Sequence, residues 1–277
     1  MRIDSHQHFW IYNPSEYGWI SDDMEILKKD YLPGQLQKEL FSVGFDGSIT
    51  VQARQTLEET KWILGLAEQN SFIKGVVGWV DLCSPEIEEQ LAQFSKHPKL
   101  VGVRHVVHDE PDDNFILRKD FLNGISHLKK FGLAYEILIF PRHLPNTIQF
   151  VSRFPEQLFI LDHIAKPLIK DKKVSPWKEG IEKLAGYKNV YCKLSGMVTE
   201  ADMKNWKKED IIPYLDIVFD AFGPDRLMIG SDWPVCRVAG LYQQVMKIVP
   251  DYIETYSDED KNKILGENAL RVYRLKQ

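Results

Sequence analysis

Short apolar runs, rich in β-branched residues, alternate with longer amphipathic stretches along the whole chain. Eight of these runs read as strands, at residues 2–8, 47–54, 73–81, 100–107, 133–140, 158–163, 189–195 and 226–232. Runs of this length, bounded by Gly, Pro and polar clusters, fit buried strands. Helix-like segments lie between them. Leu57–Gln69 places Ile63, Leu64 and Ala67 at helical spacing, and residues 115–131 and 211–222 repeat the pattern. Thr56 before Glu58-Glu59, and Ser84-Pro85-Glu86, supply start signals, because a hydroxyl caps free backbone N–H groups and proline suits the first turn.

Strand–helix alternation demands parallel pairing, with each crossover helix covering the sheet. Eight such units build either a closed barrel or an open doubly wound sheet. No G-x-G-x-x-G follows any strand, so the dinucleotide-binding open sheet lacks its marker. The predicted class is therefore α/β, a (β/α)₈ TIM barrel formed as a single domain over residues 1–277. The length suits this, since such barrels typically take roughly 250 residues. No internal repeat, low-complexity tract or linker divides the chain.

Composition removes several function classes. With 44% hydrophobic and 27% charged residues the chain is ordinary and globular. A net charge of −5 argues against a nucleic-acid partner, which demands a basic face. Cys83, Cys192 and Cys236 lie far apart with no C-x-x-C pair, so neither a disulfide framework nor a thiolate zinc site is expected. No apolar run approaches the ~18 residues of a membrane span and no signal segment opens the chain. The expectation is a cytoplasmic protein without a membrane partner; a homo-oligomer stays open. One connection stands out. Residues 9–32 lack clear periodicity but carry Trp10, Tyr12, Tyr17, Trp19 and Tyr31. Loops this long are uncommon unless functional or disordered, and the aromatic content speaks for order. After a first barrel strand, such a loop lies on the C-terminal face, where barrel active sites are built.

His6-Gln7-His8 ends the first strand. Residues i and i+2 of a strand point to one face about 6.6 Å apart. Two imidazoles so placed can converge on one metal ion with Zn–N distances of about 2.0–2.1 Å, although an H-x-H pair also arises as two hydrogen-bonded structural histidines. Position adds weight. His163 in Leu161-Asp162-His163, Asp232 in Gly230-Ser231-Asp232-Trp233-Pro234, and Arg104-His105 also fall at strand C-termini. By alternation, His163 shares a face with Phe159 and Leu161, Asp232 with Met228 and Gly230, and His6 and His8 with Asp4.

Ile3-Asp4-Ser5-His6-Gln7-His8, Leu161-Asp162-His163 and Gly230-Ser231-Asp232-Trp233-Pro234 together resemble the amidohydrolase superfamily. The resemblance is nearest to its branch of sugar and aromatic-acid lactonases. The segments Gly102-Val103-Arg104-His105-Val106-Val107 and Cys192-Lys193-Leu194-Ser195-Gly196 also look like its aldonolactonase group, the L-fuconolactonases and L-rhamnonolactonases. The motifs fall in the right order over essentially the whole chain. The resemblance implies a barrel that hydrolyses a cyclic ester, with His6, His8, His163 and Asp232 as its site. Asp232 would act as general base toward water. The histidines would ligate one divalent ion, zinc by the ligand types, or donate hydrogen bonds to the lactone carbonyl. Binuclear members of the superfamily add a bridging lysine or glutamate near strand 4 or 5 and a histidine from strand 5. Here strand 4 offers Arg104 and His105, and Ala134-Tyr135-Glu136-Ile137-Leu138 has no histidine or lysine. At most one ion is expected, and a metal-independent mechanism stays open, because a strained lactone expelling an alkoxide needs less Lewis-acid help than an amide.

Further candidates line the expected mouth. Arg104 and His105 point to opposite faces of a regular strand, so one of them faces the substrate. Trp10, Gln52 and Trp233 sit at strand ends and suit a polyhydroxylated ring. Asp4 would orient His6 from below. Arg54 and Arg237 would serve an anionic substrate; His97, His127 and His143 read as surface residues. The expected substrate is a neutral aldonolactone. The rivals are a dicarboxylate pyrone lactone, a metal-dependent aromatic-acid decarboxylase on the same barrel, and a non-catalytic binding barrel.

Overall fold

A computed structural model describes residues 1–275. Eight strands pair in parallel in chain order: β1 Ile3–Gln7, β2 Gly47–Val51, β3 Ile73–Gly78, β4 Leu100–Val106, β5 Ala134–Leu138, β6 Phe159–Leu161, β7 Val190–Leu194 and β8 Leu227–Ile229. The ring closes just beyond β8, where Asp232 N donates to His6 O at 2.8 Å and His8 N to Trp233 O at 2.7 Å. All eight predicted strands are present, and each ends before the residue expected. The last residues of each run leave the ladder and turn into the mouth loops. The helix Leu57–Gln69 has its predicted bounds, and Thr56 Oγ1 accepts from Glu59 N at 3.1 Å. Such a cap contributes about 1 kcal/mol. The stretch 115–131 instead divides into Phe115–Leu117, Lys119–Leu128 and Lys129–Phe131, and the helix expected at 211–222 runs Lys208–Phe222.

Two apolar layers follow from strand alternation. One face of the strands packs with the helices, as Ile137, Phe159 and Leu161 do with Phe121 and Phe150. The other face fills the barrel with Ile49, Val51, Val77, Ala134, Ile160 and Met228, joined from below by Ala269, Val272 and Tyr273. Each large aliphatic side chain fully buried there contributes roughly 1.5–3 kcal/mol. The lower barrel is thus a packed floor, and only its upper layer is free for polar groups.

The connection at residues 9–32 is ordered. Trp10 and Tyr31 exchange both backbone hydrogen bonds, at 3.0 and 2.9 Å, and the segment between them holds the 3₁₀ turn Asp22–Leu27. Arg54, after β2, ties this loop down through Glu16 at 2.6 Å. No helix among the described residues is long and apolar enough to cross a membrane.

Candidate active site

Four residues expected at the site do meet. His6 and His8 rise from the end of β1 with their Nε2 atoms 3.2 Å apart. Asp232 Oδ1 lies 3.3 Å from His8 Nε2, 3.8 Å from His6 Nε2 and 3.9 Å from His163 Nε2. One carboxylate oxygen therefore faces three imidazoles. His8 Nδ1 lies 2.8 Å from Val51 O. A carbonyl only accepts, so Nδ1 carries a proton, and Nε2 is the atom turned to Asp232. His163 Nδ1 is 2.8 Å from Ser195 Oγ.

Alternation places Asp232 as expected but not His163. Ile160 lies in the barrel-filling layer, while Phe159 and Leu161 face the helices. Asp162, not His163, is therefore the next inward residue. His163 reaches the mouth because His163, Ile164, Ala165 and Lys166 all take left-handed backbone, with φ of 52°, 47°, 60° and 48°. That conformation costs about 1–2 kcal/mol per non-glycine residue. It is held by Trp177 Nε1 donating to Ile164 O at 2.7 Å and Lys166 N to His163 O at 2.8 Å. Asp232 is left-handed too, at φ 57°. Asp4 does not sit beneath His6 on the same face. The register of β1 shifts between Asp4 and Gln7, and Asp4 bonds outward to Ser231 Oγ at 2.6 Å and Tyr242 Oη at 3.1 Å.

Arg104 is the inward member of its pair. Its guanidinium bonds Gln52 Oε1 at 2.7 Å, Gln52 O at 2.6 Å and Asp162 Oδ2 at 3.1 Å, and stands 3.3 Å from His6 Nε2. His105 points the other way, accepting from Trp79 Nε1 at 3.3 Å and stacking on Phe115 at 4.7 Å. It is not brought to the mouth, and Arg104 occupying the inward position is the reason. Gln52 is spent on Arg104, and Trp233 is buried between Phe9 and Tyr31, so neither lines the cavity. Trp10 does line it. His143 is fully buried against Asp113 rather than on the surface.

A cavity of about 290 Å³ opens over these groups. His8, Arg104, His163 and Asp232 form its polar floor, with Trp10, Trp19, Met24, Met203, Val235 and Val238 on its apolar wall and Lys166 and Glu200 paired on the wall as well. Burial holds His163 down to about 3, outweighing the pull of Asp232 and Asp162. Burial likewise keeps His6 well below its ordinary value. Burial would raise Asp232, but His163 and His8 outweigh it and hold the carboxyl far below the usual range. At neutral pH the floor holds an ionised Asp232 carboxylate beside neutral His6 and His163.

Sequence reasoning missed the layer beneath. Lys193, Glu136 and Asp162 are fully buried below His6. Lys193 Nζ lies 2.6 Å from Glu136, 3.3 Å from Asp162 and 3.2 Å from His6 Nδ1. Tyr273 Oη donates to Glu136 from below. Burial pushes Glu136 up against the pull of Lys193, whereas Lys193 and His6 overcome burial at Asp162 and keep it low. The available signal was a charged residue at an inward position of an otherwise apolar strand, in Val190-Tyr191-Cys192-Lys193-Leu194 and Ala134-Tyr135-Glu136-Ile137-Leu138.

His6, His8 and Asp232 offer ligand atoms within 4.8 Å of one another. The fixed tautomer of His8 and the convergence on Asp232 Oδ1 fit one divalent ion, since imidazole nitrogen and carboxylate oxygen are its usual donors. Arg104 stands 3.3 Å from His6 Nε2, so an ion held there would compete with the guanidinium for that lone pair. A parallel eight-stranded barrel with such a polar mouth defines a hydrolase of the His/Asp kind. The family model described as amidohydrolase matches residues 3–275, and the chain belongs to that family. An L-fucono-1,5-lactonase of Burkholderia multivorans is 38% identical over 99% of this chain and 96% of its own length. One from Burkholderia ambifaria is 34% identical with the same coverage. The crystal structure of an amidohydrolase from Burkholderia multivorans with bound zinc superposes with a TM-score of 0.97 at 39% identity, covering all of both chains.

Proposed function

We propose that the chain hydrolyses the ester of a neutral sugar-derived lactone, with Asp232 as the base that takes a proton from the attacking water. The observation that carries this is Asp232 Oδ1 held among three imidazoles on the floor of the cavity. Water adds to the lactone carbonyl carbon as its proton passes to the Asp232 carboxylate. The oxyanion that forms is stabilised by the positive charge of the Arg104 guanidinium, held in place by Gln52 and Asp162. The ring C–O bond then breaks, and the alkoxide, a far stronger base than Asp232, recovers the proton. The product hydroxy acid ionises and releases one proton to solution. The depressed acidity of Asp232 keeps it ionised at the expense of intrinsic basicity, so its contribution rests on position. An ion bound by His6, His8, His163 and Asp232 would polarise the carbonyl and acidify water.

The cavity's charges favour a neutral substrate. Of the three arginines expected near the mouth, only Arg104 lines it; Arg54 is spent on Glu16, and Lys166 on Glu200. A dicarboxylate needs two free cationic partners. The apolar wall suits a deoxygenated ring edge, which agrees with the substrate in the names of the Burkholderia relatives. Proton release with L-fucono- and L-rhamnonolactone, set beside a dicarboxylated pyrone, tests this. A tenfold preference in kcat/KM for a sugar lactone is expected; the same preference for the pyrone refutes the reading.

A further inference from the structure

Beneath the mouth lies a second set of convergent ligand atoms. His6, Asp162 and His163 each offer one within 4.8 Å of the others. Glu136, outside that group, brings a carboxylate from β5 against Lys193. Imidazole nitrogen and carboxylate oxygen, fully buried, make a donor set that a divalent ion accepts. A lysine ammonium already stands in it. Nζ of Lys193 is 2.6 Å from Glu136 Oε2, 3.3 Å from Asp162 Oδ1 and 3.2 Å from His6 Nδ1, and none of these side chains is exposed.

The contacts have the character of a point charge. Glu136 Oε2 and Asp162 Oδ1 both lie beside the ammonium, and Asp162 Oδ1 is also 3.4 Å from His6 Nδ1. The second oxygen of each carboxylate is pinned elsewhere, Asp162 Oδ2 by Arg104 at 3.1 Å and Glu136 Oε1 by Tyr273. The remaining oxygen of each thus faces the position of the same ammonium. Two buried carboxylates without a cation carry a large desolvation cost, so something positive must fill that position.

We propose that Lys193 is a built-in cation: its ammonium occupies the place of a second divalent ion between Glu136, Asp162 and His6, and so restricts the chain to the ion site at the mouth. Lysine suits this role because its charge is compact and not bound to a planar fork. The ammonium also fixes Asp162 and, through it, the Nδ1 side of His6. Lys193 is in this sense a positioning residue that never touches substrate. The proposal builds on the one-ion reading of the mouth but is tested by a difference in ion count, which is readable whether the mouth holds one ion or none and whatever the substrate.

Wild type, Lys193→Ala and Lys193→Arg are stripped with chelator, equilibrated with Co²⁺, freed of excess and measured by elemental analysis and visible absorption. Lys193→Ala should hold one ion per chain more than wild type and show additional d–d bands. Lys193→Arg, which keeps a cation in place, should match wild type. Equal counts in folded wild type and Lys193→Ala overturn the proposal, as does an additional ion in Lys193→Arg. If Lys193→Ala folds only when Co²⁺ or Zn²⁺ is present, the stranded carboxylates have recruited an ion and the proposal stands. The double variant Lys193→Ala/Glu136→Gln relieves one stranded charge and should still take the extra ion through Asp162 and the imidazoles. A folded double variant with the wild-type count refutes the proposal even where the single variant is insoluble.

Discussion

Two strands of the barrel end in similar ways and deliver their residues by different routes. Both β6 and β8 are three residues long, and both run into left-handed backbone that places a site residue at the mouth. In β8 the alternation persists: Met228, Gly230 and Asp232 stay on the inward face, and only Asp232 is left-handed. In β6 the alternation hands the inward position to Asp162. His163 then reaches the mouth through four consecutive left-handed residues. One site residue is an extension of the strand and the other is held by the loop. The second arrangement stores more backbone strain and depends on more partners, and such strain gathers at functional sites because surrounding contacts over-determine it.

The largest expected effect tests the strand-borne residue. Asp232→Asn keeps the left-handed conformation, which Asn tolerates well, and removes only the charge. A fall in kcat of about 10²–10⁴ is expected with an unchanged far-UV CD spectrum. Wild-type kcat in the folded variant would end the general-base assignment.

Next come two glycines that make room for the two routes. A Cβ on Gly196, at φ 63°, would lie 2.5 Å from His163 Nδ1 and 2.6 Å from its Cγ. Gly196→Ala should displace the ring and lower kcat/KM by about 10²-fold, since small misplacements carry that cost. A Cβ on Gly230 would lie 2.8 Å from His6 Cβ and 3.2 Å from its backbone N. Gly230→Ala must therefore move β1 itself, and a stability loss of about 1–3 kcal/mol by denaturant unfolding is expected. If the Gly196 variant loses more stability than the Gly230 variant, the distinction between loop-held and strand-held residues fails.

Ser195→Ala is smaller. It removes the hydroxyl at His163 Nδ1 and should cost about tenfold in kcat, the lower end of what orienting partners contribute. The acid limb gives the smallest change in rate. Asp232 stays ionised and His163 neutral well below neutrality, so kcat/KM should be flat from pH 8 to pH 5. Stability should behave differently. With His163 depressed to about 3, the unfolded chain takes up a proton near pH 6.5 that the folded chain refuses. Tm should then fall as pH drops from 6.5 toward 4, and His163→Gln should fall less steeply. An acid loss of rate already complete at pH 6 would contradict both assignments.

Strand count, order and the four converging residues were legible because each rests on a local signal. Apolar runs mark strands, and polar residues at their last position mark a mouth. His105 and Gln52 were misplaced for a different reason. Alternation says that two neighbours face apart but not which one faces in, and only the partners of Arg104 decide that. The strand faces of His163 and Asp4 were misread because backbone departures, a left-handed run and a shifted register, change which face a residue occupies. Lys193 and Glu136 were overlooked because a buried ion pair is assembled by strands far apart in sequence, and neither half shows its partner.

The carbonyl beneath His8 has a consequence for how this barrel can change over generations. Val51 O sets that imidazole's proton, and a peptide oxygen persists through every replacement of the Val51 side chain. His163 depends on a hydroxyl that one base change can delete. Drift therefore reaches the two imidazoles unequally: the first is shielded from mutation, and the second is where selection can retune the chemistry.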